Sequence, residues 1–251
     1  MFTFEDYMHP TFSHSQSTGY AQDPKTQTLN PAVTGASVIG IKYDSGVLIA
    51  ADTLGSYGSM AKIRHVSRLH TINEQVAIGF AGDLADAQFI TKIINSMVLD
   101  DQVAADGTHM SPKAMLNWLT RVYYNRRSKI DPLWNQVVVA GFDRQTSQPM
   151  LGCVNLLGYS WQDSVVATGM GAHFAMPFIR SKVDEKKAPL TLDEANEVIK
   201  KCMGTLYARD ARSWPEYEVV KVDASGVVKS EIQTVQIVWK PYADYQEGRK
   251  H

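Results

Sequence analysis

TGASVIGIKYDSGVLIAAD, residues 34–52, decides the architecture. It reads as an apolar strand from Ser37 to Lys42, a tight Asp44-Ser45-Gly46 turn, and a second strand from Val47 to Ala51 that ends on Asp52. Two strands joined by a short glycine-containing turn form a hairpin. The second strand is apolar on both faces, so it belongs inside a sheet that is covered on both sides. Asp52 is then a carboxylate at the rim of a buried sheet, where it serves either turn chemistry or site chemistry.

Outward from this hairpin, Val76 to Phe80 is a short apolar strand that runs through Ala81-Gly82-Asp83 into a helical pattern. Gly82 can bring bare backbone N–H groups close to a ligand at a helix N-terminus, where an oxyanion is favoured. Asp83 suits the N-cap of that helix, and capping alone would also explain the triplet. Two helices are expected in succession, Asp83 to about Ala104 and Ser111 to Lys129, the second opening on Ser-Pro. Strands follow at Gln136 to Phe142, Met150 to Asn155 and Ser164 to Thr168. Two more helices come next, Ala172 to Val183 and Thr191 to Ala208, the latter with a Thr191…Glu194 capping box. A closing hairpin pairs Glu218 to Val222 with Val227 to Val238. Strands, helix pair, strands, helix pair, strands is the order expected of a layered α+β fold, two stacked sheets between two helix layers.

Bulk properties narrow the function without naming it. A chain of 251 residues, 44% hydrophobic, can bury a full core as one domain with a tail at each end. The net charge of −1 gives no reason to expect a nucleic-acid or acidic-membrane partner. No apolar stretch approaches the ~18 residues of a membrane span, and residues 1–25 have no apolar signal core. Cys153 and Cys202 read as buried thiols in a reducing compartment. The seven histidines lack ligand spacing, so neither a metal nor another cofactor is expected.

Several separate segments together resemble one family. TGAS…GVLIAAD, the SYGS turn at 56–59, GFAGDLADAQ at 79–88, Asp131-Pro132-Leu133-Trp134-Asn135, ATGMGAHFA at 167–175 and LYARDARS at 206–213 occur in the order found in beta-type subunits of the 20S proteasome. The resemblance runs from about Thr28 to Val238. Within the family, LGSYGS, RRSKIDPLWN and YARDARS look most like the non-catalytic type-4 class, also called beta-7. It implies a four-layer αββα sandwich of the N-terminal nucleophile hydrolase type.

In catalytic members of that family a propeptide ending in Gly is removed to free a threonine, whose hydroxyl attacks the peptide carbonyl while its own amino group acts as base. By resemblance Gly35 matches the Gly before the cut, and the nucleophile falls on Ala36, which has no hydroxyl. Asp52 matches the carboxylate that holds the catalytic lysine, Arg68 replaces that lysine, and Gly82 matches the oxyanion-hole glycine. Met170 stands where active members have serine, Asp210 and Ser213 match supporting residues, and Trp214 replaces a glycine. Arginine keeps the charge but holds its proton too tightly to tune a site. Ser37 is a poor substitute nucleophile, because it would have to become the N-terminus and faces the other side of the strand from Ala36. These positions are therefore expected to form a degenerate site without catalytic residues.

The flanks carry further expectations from the same resemblance. Residues 1–27 look like a propeptide, residues 28–238 form the beta-type domain, and residues 239–251 are a C-terminal extension. Processing between Gln27 and Thr28 would be performed by an active neighbour. Trp239, Tyr242 and Tyr245 suit an arm anchored on the opposing beta ring. The implied partners are other alpha and beta subunits in a two-fold stack of heptameric rings, with regulatory particles contacted indirectly. The implied location is cytoplasm and nucleus.

Overall fold

The computed structural model describes residues 30–237 apart from 106, 108 and 187. The described residues open with seven strands, β1 (Val33–Gly35), β2 (Val38–Tyr43), β3 (Gly46–Asp52), β4 (Gly55–Tyr57), β5 (Met60–Ile63), β6 (Leu69–Thr71) and β7 (Val76–Asp83). Helices α1 (Leu84–Ala104) and α2 (Pro112–Ser128) follow, then β8 (Asn135–Asp143), β9 (Gln148–Val154), β10 (Ser160–Gln162) and β11 (Val165–Ala167). Helices α3 (Gly171–Phe174), α4 (Met176–Lys186) and α5 (Leu192–Arg209) precede β12 (Glu216–Asp223), β13 (Gly226–Lys229) and β14 (Gln233–Thr234).

Two antiparallel sheets result. One has the order β10-β9-β8-β7-β1-β4-β5 with β6 also on β7; the other has β11-β2-β3-β12-β13 with β14 also on β12. The β2–β3 hairpin closes with Tyr43 opposite Gly46, leaving Asp44-Ser45 as a two-residue loop. β3 lies between β2 and β12 and every one of its residues is buried, as its unbroken apolar run requires.

Three apolar layers hold the fold. Val47, Ile49, Ala77, Val138, Leu151 and Val220 meet between the sheets. Ile78, Phe80 and Val139 turn the other way, onto Ile90, Ile94, Met115 and Leu119 of α1 and α2. Ile39, Leu48 and Val219 pack under Val198, Cys202 and Leu206 of α5. Strand residues alternate between the inter-sheet layer and a helix layer, which is the period of two expected of a sheet covered on both faces. The molecule is thus an α+β sandwich with helices outside two central sheets.

Three differences from the sequence expectations have identifiable physical causes. β1 was not expected; its three residues are too few to show a period, and it exists because β4 and β7 flank it. The helix expected from Ala172 to Val183 is broken into α3 and α4, because Pro177 has no N–H to donate to His173. The strand expected from Val227 to Val238 stops at Lys229 and pairs again only at Gln233. There the hydroxyl of Ser230 accepts the N–H of Val219 at 3.1 Å, and one extra residue bulges from the edge.

Candidate functional site

Ala36 sits half-buried between β1 and β2, at one side of a cleft of about 390 Å³ that Thr34, Ser56, Gly82, Met170 and Asp210 also line. β1 leads into it. Gly35 is opposite Gly82, and Thr34 is opposite both Ser56 of β4 and Asp83 of β7. The segment upstream of Ala36 is therefore a sheet strand that lies against Gly82. Asp83 secures it further, accepting the N–H of Ala32 on one carboxylate oxygen at 3.1 Å and those of Ala85 and Asp86 on the other at 3.0 Å. The carboxylate that caps α1 also fastens the incoming strand.

Arg68 lies behind Ala36 with its side chain fully buried. Its Nε donates to the Asp52 carbonyl at 3.0 Å. Nη1 donates to the carbonyls of Ala36 and Phe80 at 3.0 and 3.1 Å, and Nη2 to the Ser37 carbonyl and the Asp52 carboxylate at 3.1 and 2.6 Å. A guanidinium has five N–H donors, and all five are taken. A methyl at Gly35 would come within 2.3 Å of the Arg68 Cδ, so the glycine makes room for the guanidinium's stem. Burial pushes the Asp52 carboxyl above the usual carboxylate range, opposed by the Arg68 charge and by the N–H groups of Leu54 and Trp214. The pair joins the start of β2 and the end of β3 to the middle of β7 and leaves no donor for a bound molecule.

Gly82 has φ of +101°, and a Cβ there would stand 2.1 Å from the Trp134 carbonyl. Only glycine fits both the backbone and the space. Met170 is exposed at the start of α3, beside the cleft. Asp210 lines the cleft while its carboxylate accepts the Arg212 N–H at 2.9 Å. Ser213 is turned away, its hydroxyl donating to the carbonyls of Asp210 and Leu206 at 2.7 and 3.1 Å, where it closes the end of α5. The Ser37 hydroxyl accepts the Gly171 N–H at 2.8 Å and so caps the turn that carries Met170. Gln27, Thr28, Trp239, Tyr242 and Tyr245 lie outside the described residues.

A proteasome subunit family model matches residues 32–222 of the chain. The chain belongs to the proteasome subunit family. It is 49% identical to a proteasome subunit beta type-4 of Xenopus laevis over 81% of this chain and 83% of that protein. It is 45% identical to the Drosophila melanogaster beta type-4 subunit over 78% and 72% of the two chains, and 38% identical to the Saccharomyces cerevisiae beta type-7 subunit over 90% and 88%. The matched span of the proteasome model takes in β1 and every element of the cleft described above.

Asn135 is a site residue that the sequence reading passed over. It is buried at the start of β8, and its amide donates to the Asp83 carbonyl at 2.7 Å, bracing the Gly82 turn from the side opposite β1. Its only sequence signal is its place after Pro132-Leu133-Trp134. Among the described residues, no group of three or more His, Cys, Asp and Glu could hold a metal, and no helix is long and apolar enough to cross a membrane.

Proposed function

We propose that this chain is a non-catalytic subunit of the beta ring of the 20S core particle. It has the N-terminal nucleophile hydrolase fold without that fold's chemistry. It contributes walls and ring contacts in a two-fold stack of heptameric rings, where catalytic neighbours carry out ATP- and ubiquitin-dependent proteolysis. One observation carries the reading: the position that faces the cleft is Ala36, which has no hydroxyl, and the cation beside it spends all its donors on the protein itself. A threonine mechanism needs a hydroxyl, a free α-amino group and a tunable base at that point, and a saturated, permanently charged guanidinium supplies no base.

The flanking segments complete the proposal. Residues 1–27 act as a propeptide removed between Gln27 and Thr28 by a neighbouring subunit, and residues 28–238 form the beta-type domain. Trp239, Tyr242 and Tyr245 in the extension 239–251 anchor it to the opposing ring. Alpha and beta subunits are its direct partners, regulatory particles act through them, and no nucleic acid, membrane or cofactor takes part. The assembled particle resides in cytoplasm and nucleus.

A covalent threonine-directed inhibitor applied to the purified particle is expected to label other chains and leave this one unmodified by mass spectrometry. Ala36→Thr alone is expected to add no peptidase activity, since Arg68 and Met170 remain. Label on Thr34 or Ser37, or new activity from Ala36→Thr, would overturn the reading in favour of an active threonine peptidase.

A further inference from the structure

β5 is the terminal strand of its sheet and, among the described residues, pairs only with β4. Its outward main-chain groups form an open edge, which proteins normally shorten, charge or cover. β5 is four residues long, carries Lys62 and shifts register against β4 between Ile63 and Ala61, yet large apolar side chains also cluster around it: Tyr57 is 52% exposed, Met60 55% and Ile63 43%. The same hairpin is basic. No acidic residue occurs between Asp52 and Glu74, whereas Lys62, Arg64 and His65 are all exposed. Lys62 rests over the Tyr57 ring at 5.0 Å, and Arg64 over the Trp214 ring at 5.3 Å. Among the described residues, the one carboxylate paired with this group, Glu216, meets His65 at 3.2 Å.

We propose that the outer edge of β5 takes an extended, acid-bearing segment of another chain. That segment adds as a further strand, covers Met60 and Ile63, and sets its carboxylates against Lys62 and Arg64. Backbone pairing would supply affinity, while the apolar and basic side chains select the sequence. A single lysine is enough to discourage chance pairing of an edge, but it does not account for three exposed apolar residues beside it. The proposal rests on the reading of this chain as an assembled subunit and names the chemistry of one of its contacts.

The test compares the full-length chain alone with the purified particle. Acetylation by an amine-reactive reagent is expected to modify Lys62 in the free chain and to spare it in the particle. A water-soluble carbodiimide is expected to join Lys62 to an Asp or Glu in an extended stretch of a neighbouring chain. Lys62→Glu with Arg64→Glu should lower the chain's incorporation several-fold. Lys62 equally reactive in both samples, or cross-linked to a helix, would overturn the β5 assignment while leaving the subunit reading intact. Absence of the chain from any particle would overturn both.

Discussion

Arg68 has no donor to spare, and that fixes what a substitution there must do. Lysine offers three donors in place of five and cannot span the carbonyls of Ala36, Ser37, Phe80 and Asp52 together. Arg68→Lys is therefore expected to leave buried carbonyls unpaired and to destabilise the fold by about 2–4 kcal/mol. A urea titration of the purified chain checks it, and an unchanged midpoint would show that the guanidinium network is dispensable. The presence of an arginine at this position was legible in the sequence; its saturation was not, because most of its acceptors are main-chain carbonyls that leave no mark on residue identity. The two thiols were easier to read. Burial pushes Cys153 and Cys202 up to about 12, so at pH 8 neither should react with iodoacetamide in the native chain, and both should react once it is unfolded in guanidinium. Native labelling of either would mean that its helix or sheet layer opens readily.

At the scale of elements, the ends of helices were more legible than the edges of sheets. Asp83, Ser111 and Thr191 each cap the helix that follows, because a cap is a local bargain between a side chain and N–H groups two or three residues away. β1 depends on strands distant in sequence, so no window of residues contains its cause, and the bulge at Ser230 is a shift of register within a hairpin that residue identity does not mark. The capping box of α5 allows a pH test. Lys186 donates a hydrogen bond to the Glu194 carboxylate, the Thr191 N–H and hydroxyl add two more, and together they hold its pKa at about 2 against an ordinary 4.5. A folded pKa lowered in this way adds stability that is present above about pH 4.5 and is lost as the pH falls toward 2. Glu194→Gln should lower Tm at pH 7, and its deficit against the parent should vanish by pH 2. Thr191→Ala, which removes the hydroxyl half of the box, is expected to cost about 1 kcal/mol. A Glu194→Gln deficit that stays constant across this range would separate the cap from the charge.

For the whole molecule, β1 is the joint on which the first sheet depends. The β4–β5 hairpin reaches the rest of that sheet through β1, since the strand order runs β7-β1-β4-β5. A catalytic subunit frees its nucleophile by cutting immediately before it; the same cut here, between Gly35 and Ala36, would discard that joint. Processing at Thr28 would keep it. Two truncated chains separate these outcomes. Removal of residues 1–29 leaves every described strand in place and is expected to preserve amide protection throughout the sheet. Removal of residues 1–35 takes away the partners of Ser56, Tyr57, Gly82 and Asp83. Amides of Gly55–Ile63 should then exchange about tenfold faster or more, equivalent to about 1.4 kcal/mol of lost local stability. Those of Val76–Phe80, still paired with β8, should stay slow. Equal exchange in the two truncated chains would mean that contacts other than β1, such as the Val66 N–H to the Thr53 carbonyl and the Thr53 hydroxyl to the Arg64 carbonyl, hold the hairpin, and that β1 is a passenger on the sheet. Faster exchange confined to the hairpin would show that β1 is what ties β4 and β5 to the rest of the sheet.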